Sequence, residues 1–455
     1  MREIIKLVKS IICNTDIQAY LVGGYIRDKL INIKNEPNDL DIVLSGNIEK
    51  VLDVFQEKGF KVFVLRGECN IYRATLNNYV VDISEMKGQS IEEDLLKRDF
   101  TANAIALDLR NNKIIDPLKG RLHIKRRILQ SVDEDSFKDD PVRILRGIRF
   151  YIKYGMHFSG YTEEYIRSEA KNILKFPADR VLDEFIHGIH DDENGIFFEV
   201  MDQYMVLKNI LPYMEELKTV GKCKYHLVDA FTHMNTAYHV FKDLQKGIMQ
   251  VKNLDIEIFN KKIGIYDESD YLAFATFVHD IGKYVSYKKE EDKVSFKGHD
   301  EKGFEIIEKV CDKLKFPGDA KKMVCSVVKN HMYPLMLFKL DNSNLKSKTY
   351  DFFVKFNKYV PYIITASFCD VYATKMYMDA QKDKDKFKEF ISDLINTYEN
   401  FCDVKNKRLI DGNDLKELGF SGQRIGQVIK ELDKQIYLGK VKSRDEQFNF
   451  VLEMK

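Results

Sequence analysis

The 455-residue sequence predicts an α+β chain: strands and helices interleaved up to Asp116-Pro117, then an all-α remainder. Three observations predict it. Short runs of alternating apolar residues, broken by turn residues, fill the N-terminal quarter. Beyond Asp116 the apolar residues recur at three- and four-residue spacing. The composition, 44% hydrophobic and 31% charged with 8 prolines and 24 glycines, suits neither a disordered nor a fibrous chain.

Taken in order, residues 1–16 read as an amphipathic helix with Ile4, Ile5, Leu7, Val8, Ile11 and Ile12 on one side. Residues 19–22 form a short strand, broken at Gly23-Gly24, and a helix follows from Tyr25. Residues 40–44 are a strand and 51–58 a helix. Residues 61–65, 71–76 and 79–83 are strands, with Asn77-Asn78 as a tight hairpin turn. Helical segments are expected at 91–96 and 100–106, then a strand pair around 107–109 and 113–115. The helical remainder changes character near Pro177, Pro212, Gly221, Pro317 and Pro361. The expected segments are 1–120, 121–220, 221–375 and 376–455.

Lysine and arginine number 72 against 71 acidic residues, so the net charge is +1 and any nucleic-acid contact must rely on local basic surface. Seven scattered cysteines, none in a metal-binding spacing, fit a reducing cytosol rather than a disulfide framework. The first sixteen residues lack the continuous apolar run of a signal peptide, and no apolar run approaches the length that spans a bilayer. The expectation is a soluble, cytoplasmic protein.

The strongest chemical signal lies in LVGGYIRDKL and NDLDIVL. A strand entering Gly23-Gly24 and then a helix presents backbone N–H groups to an anion, and phosphate suits that place. Arg27, one turn into the helix, adds a charge-assisted fork. Asp39 and Asp41, two apart on a strand, share one face, while Leu40 and Ile42 point to the core. Such a pair can hold two divalent ions ~3.5–4 Å apart, which activate a 3′-hydroxyl and stabilise leaving pyrophosphate. Asp82, inside VVDI, is either a third carboxylate or a half-buried strand residue. In KRDFTANA, Arg98, Asp99 and Asn103 offer donors and an acceptor for a ribose and a triphosphate, and Asp99 or Thr101 also suits a helix cap. In DDPVRILRGIRF, Asp140 before Pro141 starts a helix on which Arg143, Arg146 and Arg149 step along one side. Asp140 and Arg143 lie one turn apart. A carboxylate accepts from an exocyclic amine and a guanidinium donates to a ring acceptor, a combination that selects cytosine and adenine over uracil and guanine.

These residues, with FPADRVLDEF at 176–185, resemble the bacterial class II tRNA nucleotidyltransferase and poly(A) polymerase family, the CCA-adding enzymes. The resemblance implies a nucleotidyltransferase head with a mixed β-sheet, followed by helical neck, body and tail. It implies Asp39 and Asp41 as Mg²⁺ ligands, Arg98 and Asp99 near the ribose, and Asp140 and Arg143 as the amino-acid template for CTP and ATP. With Gly23, Gly24, Arg27, Asn103 and Arg146 these make up the expected nucleotide site. Two positions depart from the family pattern: Asp179-Arg180 stands where Glu-Arg is usual, and Asp139 where Glu is usual. Both keep the charge.

A second constellation lies in 226–370: His233, His279-Asp280 within VHDIGK, His299, His331 and Asp370. His279 and Asp280 can share a metal with His233 and Asp370, and His299 and His331 can complete an adjacent site. Nitrogen-plus-carboxylate ligation suits Mn, Fe, Zn or Ni. The set resembles the HD phosphohydrolase superfamily, which implies hydrolysis of a phosphoester, with Lys283 near the phosphate. His226 and Asp229 are either supporting residues of that site or surface residues. Residues 405–440 read as helix, turn, helix, with Leu415, Leu418, Ile425, Val428, Ile429 and Leu432 as the seam. Lys407, Arg408, Lys416, Arg424 and Lys430 are expected to face out. This tail resembles those of CCA-adding enzymes that contact tRNA.

The expected activity is addition of C, C and A to tRNA 3′ ends from CTP and ATP, with a metal-dependent phosphohydrolase in the HD segment. The expected partners are tRNA and the two nucleotides, without DNA or membrane. A poly(A) polymerase or partial adding enzyme is the nearest rival. A phosphohydrolase that uses its head only to bind RNA is the rival from another class.

Overall fold

A computed structural model describes residues 2–13, 15, 17–32, 39–66, 70–222, 227–290, 293–376 and 381–455. Contacts divide it into two compact units, Met1–Asp192 with Glu199–Ile210, and Glu193–Phe198 with Leu211–Lys455. The class is α+β, with a mixed sheet near the N-terminus and a mostly helical remainder.

In the first unit, α1 (Arg2–Cys13) buries Ile4, Val8, Ile11 and Ile12, the stripe its periodicity predicts. Seven strands follow: β1 (Gln18–Val22), β2 (Asp39–Ser45), β3 (Lys61–Arg66), β4 (Ile71–Leu76), β5 (Tyr79–Glu85), β6 (Ala106–Asp108) and β7 (Ile114–Ile115). Their order is β3-β4-β5-β2-β1-β6-β7. Within this sheet only β2 and β5 pair in parallel, with Asp41 opposite Asp82. The β4–β5 hairpin turns at Asn77, whose φ of 53° suits asparagine better than most residues. Helices α2 (Gly24–Ile31) and α3 (Ile48–Glu57) follow β1 and β2. They are joined in this unit by α4 (Ile91–Leu95), α5 (Gly120–Lys125), α6 (Ser136–Asp139), α7 (Val142–Tyr154), α8 (Gly160–Glu169) and α9 (Ala178–Asp191).

One expectation fails here. Residues 100–106 are not a helix but a three-residue 3₁₀ turn, Thr101–Asn103, leading into β6. Every side chain from Phe100 to Ala106 is buried, so the segment has no solvent face for a helix to present. Phe100 also bridges to Ser131, which holds it extended.

The second unit is built from long helices, among them Ala230–Gln245, Glu268–Val278, His299–Lys313, Gly318–Asn330, Val360–Met376 and Gln381–Cys402. Its only strands among the described residues are the short pairs Lys262–Ile263 with Tyr266–Asp267 and Lys288–Glu290 with Lys293–Ser295. In its core Phe198 stacks on Phe277, and Tyr238 meets both rings edge-on. In the tail, Gln423–Leu438 buries Val428, Leu432 and Ile436. Arg408 does not face out as expected: it is half-buried and ion-paired with Asp433 at 3.0 Å. No described helix is long and apolar enough to cross a membrane.

Candidate active sites

The first site stands where β1 ends. Gly23 adopts a φ of 71°, and a Cβ there would lie 2.9 Å from the Asp41 carboxylate. Glycine thus allows the Asp41 carboxylate to approach the strand end. Asp39 and Asp41 leave one face of β2, while Leu40 and Ile42 are buried beneath. A cavity of about 380 Å³ is lined by Gly23, Gly24, Asp41, Asp82, Arg98, Asp99, Asn103, Asp140, Arg143, Arg146, Arg180 and Glu184. Asp41 is open to this cavity, yet the protein around the cavity floor desolvates it and raises its carboxyl above the ordinary value. Arg98 counteracts that shift, and Asp82 and Asp39 add to it. Asp82 takes a bidentate fork from Arg73 at 2.7 and 2.8 Å.

Three of the expected nucleotide residues make up the packed frame of the cavity. Arg27 is 5% exposed and is absent from the cavity lining. Its Nε donates to Asp28, its Nη1 to Asn103 and its Nη2 to the Tyr154 hydroxyl, and it sits over the Phe150 ring. This placement replaces the expected phosphate fork with a strut: the partners lie 76 and 127 residues away and are invisible to local spacing. Asn103 passes the contact on, donating to Asp99 at 2.8 Å. Asp99 also accepts from the Phe100 N–H and pairs with Arg146 at 2.9 Å. Burial alone would raise the Asp99 carboxyl, but Arg146, Asn103 and the Phe100 N–H outweigh it and hold it low. Arg149 pairs with Glu184 and Asp191, which fastens α7 to α9.

Asp140 stands just before α7, accepting from the Val142 N–H at 3.2 Å, and pairs with Arg180 at 2.6 Å. Arg143 donates to the carbonyls of Lys97 and Arg98 at 3.0 and 3.2 Å, and to Ser136. Arg98 pairs with the buried Asp94 at 2.9 Å. Glu184 and Asp94 escaped the sequence reading. The spacing of Glu184 from Arg180, one helical turn in DRVLDEF, was the available signal.

The second site lies wholly in the second unit. Helix Ala230–Gln245 brings His233, helix Val360–Met376 brings Asp370, and His279-Asp280 follows helix Glu268–Val278. The ligand atoms of His233, His279, Asp280 and Asp370 all lie within 4.8 Å of one another, and so do those of Asp280, His299 and His331. Asp280 belongs to both groups. The Nδ1 atoms of His279, His299 and His331 lie 2.7, 3.0 and 2.9 Å from the carbonyls of Thr276, Phe296 and Val328. A proton on each Nδ1 leaves each Nε2 lone pair facing the centre, the arrangement of metal-bound histidines. The His299 and His331 Nε2 atoms stand 3.3 Å apart, so two lone pairs meet there, which a cation between them would relieve. The donor set therefore fits two divalent ions. Without an ion, the Asp280 and Asp370 carboxylates outweigh the effect of burial and push His279 up to about 10, so an ion bound at its Nε2 displaces a proton. His331, buried and beside two other imidazoles, falls to about 4.

Lys283 is buried, and its Nζ lies 2.5 Å from Asp280. It lines a cavity of about 660 Å³ together with Asp280, His299, Asp370, Phe296, Met332, Leu335 and Phe338. That apolar wall carries no signature a sequence reading would catch. Asp229 caps its helix, accepting from Thr232 at 2.9 Å. His226 lies outside the described residues.

Three family models match segments of the chain. Residues 19–130 match the Poly A polymerase head domain, 155–218 the "Probable RNA and SrmB- binding site of polymerase A", and 253–350 the HD domain. His233 and Asp370 fall outside that last match. The A-adding tRNA nucleotidyltransferase of Deinococcus radiodurans is 30% identical over 327 residues, 70% of this chain and 69% of that one. The Multifunctional CCA protein of Pseudoalteromonas atlantica is 28% identical over 346 residues, 71% and 78% of the two chains. Among solved structures, a CCA-adding enzyme with ATP gives a TM-score of 0.68 at 19% identity, covering 100% of this chain and 95% of that one. The Thermotoga maritima CCA-adding enzyme complexed with tRNA gives 0.65 at 19%, covering 99% and 95%. Head geometry, sequence identity and shared fold agree: this chain belongs to the tRNA nucleotidyltransferase and poly(A) polymerase family, and it is an enzyme of nucleotidyltransferase type that carries an HD domain.

Proposed function

We propose that this enzyme adds C, C and A to the 3′ end of tRNA from CTP and ATP, and that its HD segment hydrolyses a phosphoester. The observation that carries the first part is a single cavity bounded by the Asp41 carboxylate on its floor and by Asp140 and Arg143 at the head of α7. Asp39 and Asp41 offer hard oxygen donors, which suit Mg²⁺. When bound, such ions stabilise charge on the transferring phosphoryl group and acidify the primer hydroxyl. The backbone at Gly23-Gly24 and the Arg98 guanidinium take the triphosphate. Asp140 accepts from the exocyclic amine of cytosine or adenine, and Arg143, whose Nη1 and Nη2 hold the Arg98 and Lys97 carbonyls, donates to the adjacent ring acceptor from its Nε. Asp99, Asn103, Arg146 and Arg27 keep α2, α7 and the 3₁₀ turn in register. In the HD site His233, His279, Asp280 and Asp370 hold one ion and Asp280, His299 and His331 a second, from among Mn, Fe, Ni and Zn. Lys283 supplies positive charge beside the phosphate.

We divide the labour accordingly: 1–120 transfers, 121–220 selects the nucleotide and holds RNA, 221–375 hydrolyses, and 376–455 grips tRNA. The test is extension of a tRNA transcript lacking its 3′ end, with Mg²⁺ and CTP, ATP or both, resolved at single-nucleotide length. Two additions with CTP alone and a stop at three with both are expected. Extension by one A alone on a transcript ending in CC, without C addition, assigns an A-adding enzyme. A long A ladder assigns a poly(A) polymerase.

A further inference from the structure

We propose that Arg180 is a specificity-determining positioning residue: it holds the Asp140 carboxylate as an oriented acceptor and so sets which base edges the cavity takes. The inference rests on the nucleotide-adding reading above and deepens it.

Asp140 meets two donors. One oxygen takes the Val142 N–H at 3.2 Å, and the other takes Arg180 Nη2 at 2.6 Å. The second contact is at the short end for a charge-assisted bond and is the stronger anchor. A carboxylate has about four lone-pair positions, so both oxygens keep acceptor capacity after these two bonds. What remains is a fixed, acceptor-only edge. It pairs with an exocyclic amine and opposes the carbonyl that uracil and guanine present in its place.

The other arginines that line the cavity are engaged elsewhere, Arg98 with Asp94 at 2.9 Å. Arg143 spends its Nη1 and Nη2 on Lys97, Arg98 and Ser136, so it staples the Lys97-Arg98 turn and α6 to α7. Arg146 is turned toward Asp99 at 2.9 Å. Arg180 is mounted on the first turn of α9, which Arg149 fastens to α7 through Glu184 at 3.0 Å. The clamp and the carboxylate it holds therefore keep a fixed relation across two helices. If Arg180 is lost, Asp140 keeps only the weaker Val142 contact, and its carboxylate is free to turn about its own bond. The carboxylate then ceases to present one fixed acceptor edge.

The experiment compares kcat/KM for CTP and for UTP on a truncated tRNA transcript. It uses the wild type, Arg180→Gln, Arg180→Lys, Asp140→Asn and the double variant Asp140→Asn with Arg180→Gln, with melting temperature as the check on folding. The expected result for Arg180→Gln is a roughly tenfold fall in the CTP-to-UTP ratio, the scale of one lost base-edge interaction. Arg180→Lys recovers part of it. In the Asp140→Asn background Arg180→Gln has no further effect, because the two residues act as one unit. A folded Arg180→Gln enzyme with the wild-type ratio overturns the inference, and so do effects that simply add. If Arg180→Gln does not fold, Arg180→Met, of similar length and without charge, decides: a lowered ratio supports the clamp and a wild-type ratio overturns it. A wild type that extends no transcript overturns the nucleotide-adding reading and this inference together. A wild type that selects C and A with Arg180 indifferent overturns only the inference.

Discussion

Asp99 shows how one residue ties electrostatics to architecture. It is buried with three donors around it, the Phe100 N–H, the Asn103 amide and the Arg146 guanidinium. Its folded carboxyl titrates below the unfolded value of ~3.9. The folded state therefore binds its proton less readily. The stability it contributes is present above about pH 4 and is lost as the pH falls through the lower, folded value. Asp99→Asn is expected to cost about 2–3 kcal/mol at pH 7, the scale of a buried charged acceptor replaced by a group that clashes with Arg146 or Asn103. The gap from wild type is expected to narrow as the pH is lowered from 5 to 3. Denaturant melts across that range measure it, and a gap that stays constant with pH contradicts the account. The sequence showed Asp99 and Asn103 as four residues apart and polar. It did not show that Arg27 or Arg146 would be their partners, because those contacts form only when distant helices pack.

At the scale of elements, a glycine sets how closely two segments approach in the HD region. Gly282 follows the His279-Asp280 pair, and a Cβ there would overlap the His299 carbonyl and the backbone at Gly303. The turn after helix Glu268–Val278 thus presses on the first turn of helix His299–Lys313, backbone to backbone. That contact sets the His299 Nε2 atom 3.2 Å from Asp280. Gly282→Ala is expected to cost about 1–3 kcal/mol through overpacking. It also pushes His299 away from Asp280 and so weakens metal binding at the Asp280, His299 and His331 group. Metal titration by calorimetry checks it: two ions bound with wild-type affinities by the folded variant rule the account out. Element prediction was accurate where the period was clear, as in α1, β2 and the β4–β5 hairpin. It failed at 100–106, where burial on every side removed the period. Arg408 failed for a related reason: its charge suggested solvent, but Asp433 on the next helix supplied a half-buried partner.

For the whole molecule, the two candidate sites lie in different compact units and share no residue. Asp41→Ala is expected to reduce nucleotide addition by roughly a thousandfold or more, since metal stabilisation of the transferring phosphoryl group is worth several kcal/mol. The same change leaves HD hydrolysis at its wild-type rate. His279→Ala does the reverse. Parallel assays of the two activities in both variants read this directly, and loss of both activities in either folded variant would mean the two-site division is wrong. The sequence by itself determined the fold class, the strand that carries Asp39 and Asp41 and the helix that starts just after Asp140. Each of these is written in local periods and short spacings, which neighbouring residues enforce on one another. Only the tertiary structure decided that Arg27 is a buried strut, that Asp82 is taken by Arg73, that Arg143 staples backbone carbonyls and that Arg180 holds Asp140. Those choices depend on which charge finds which partner once water is excluded. Partners drawn from elements up to 127 residues apart leave no trace in the spacing of either one.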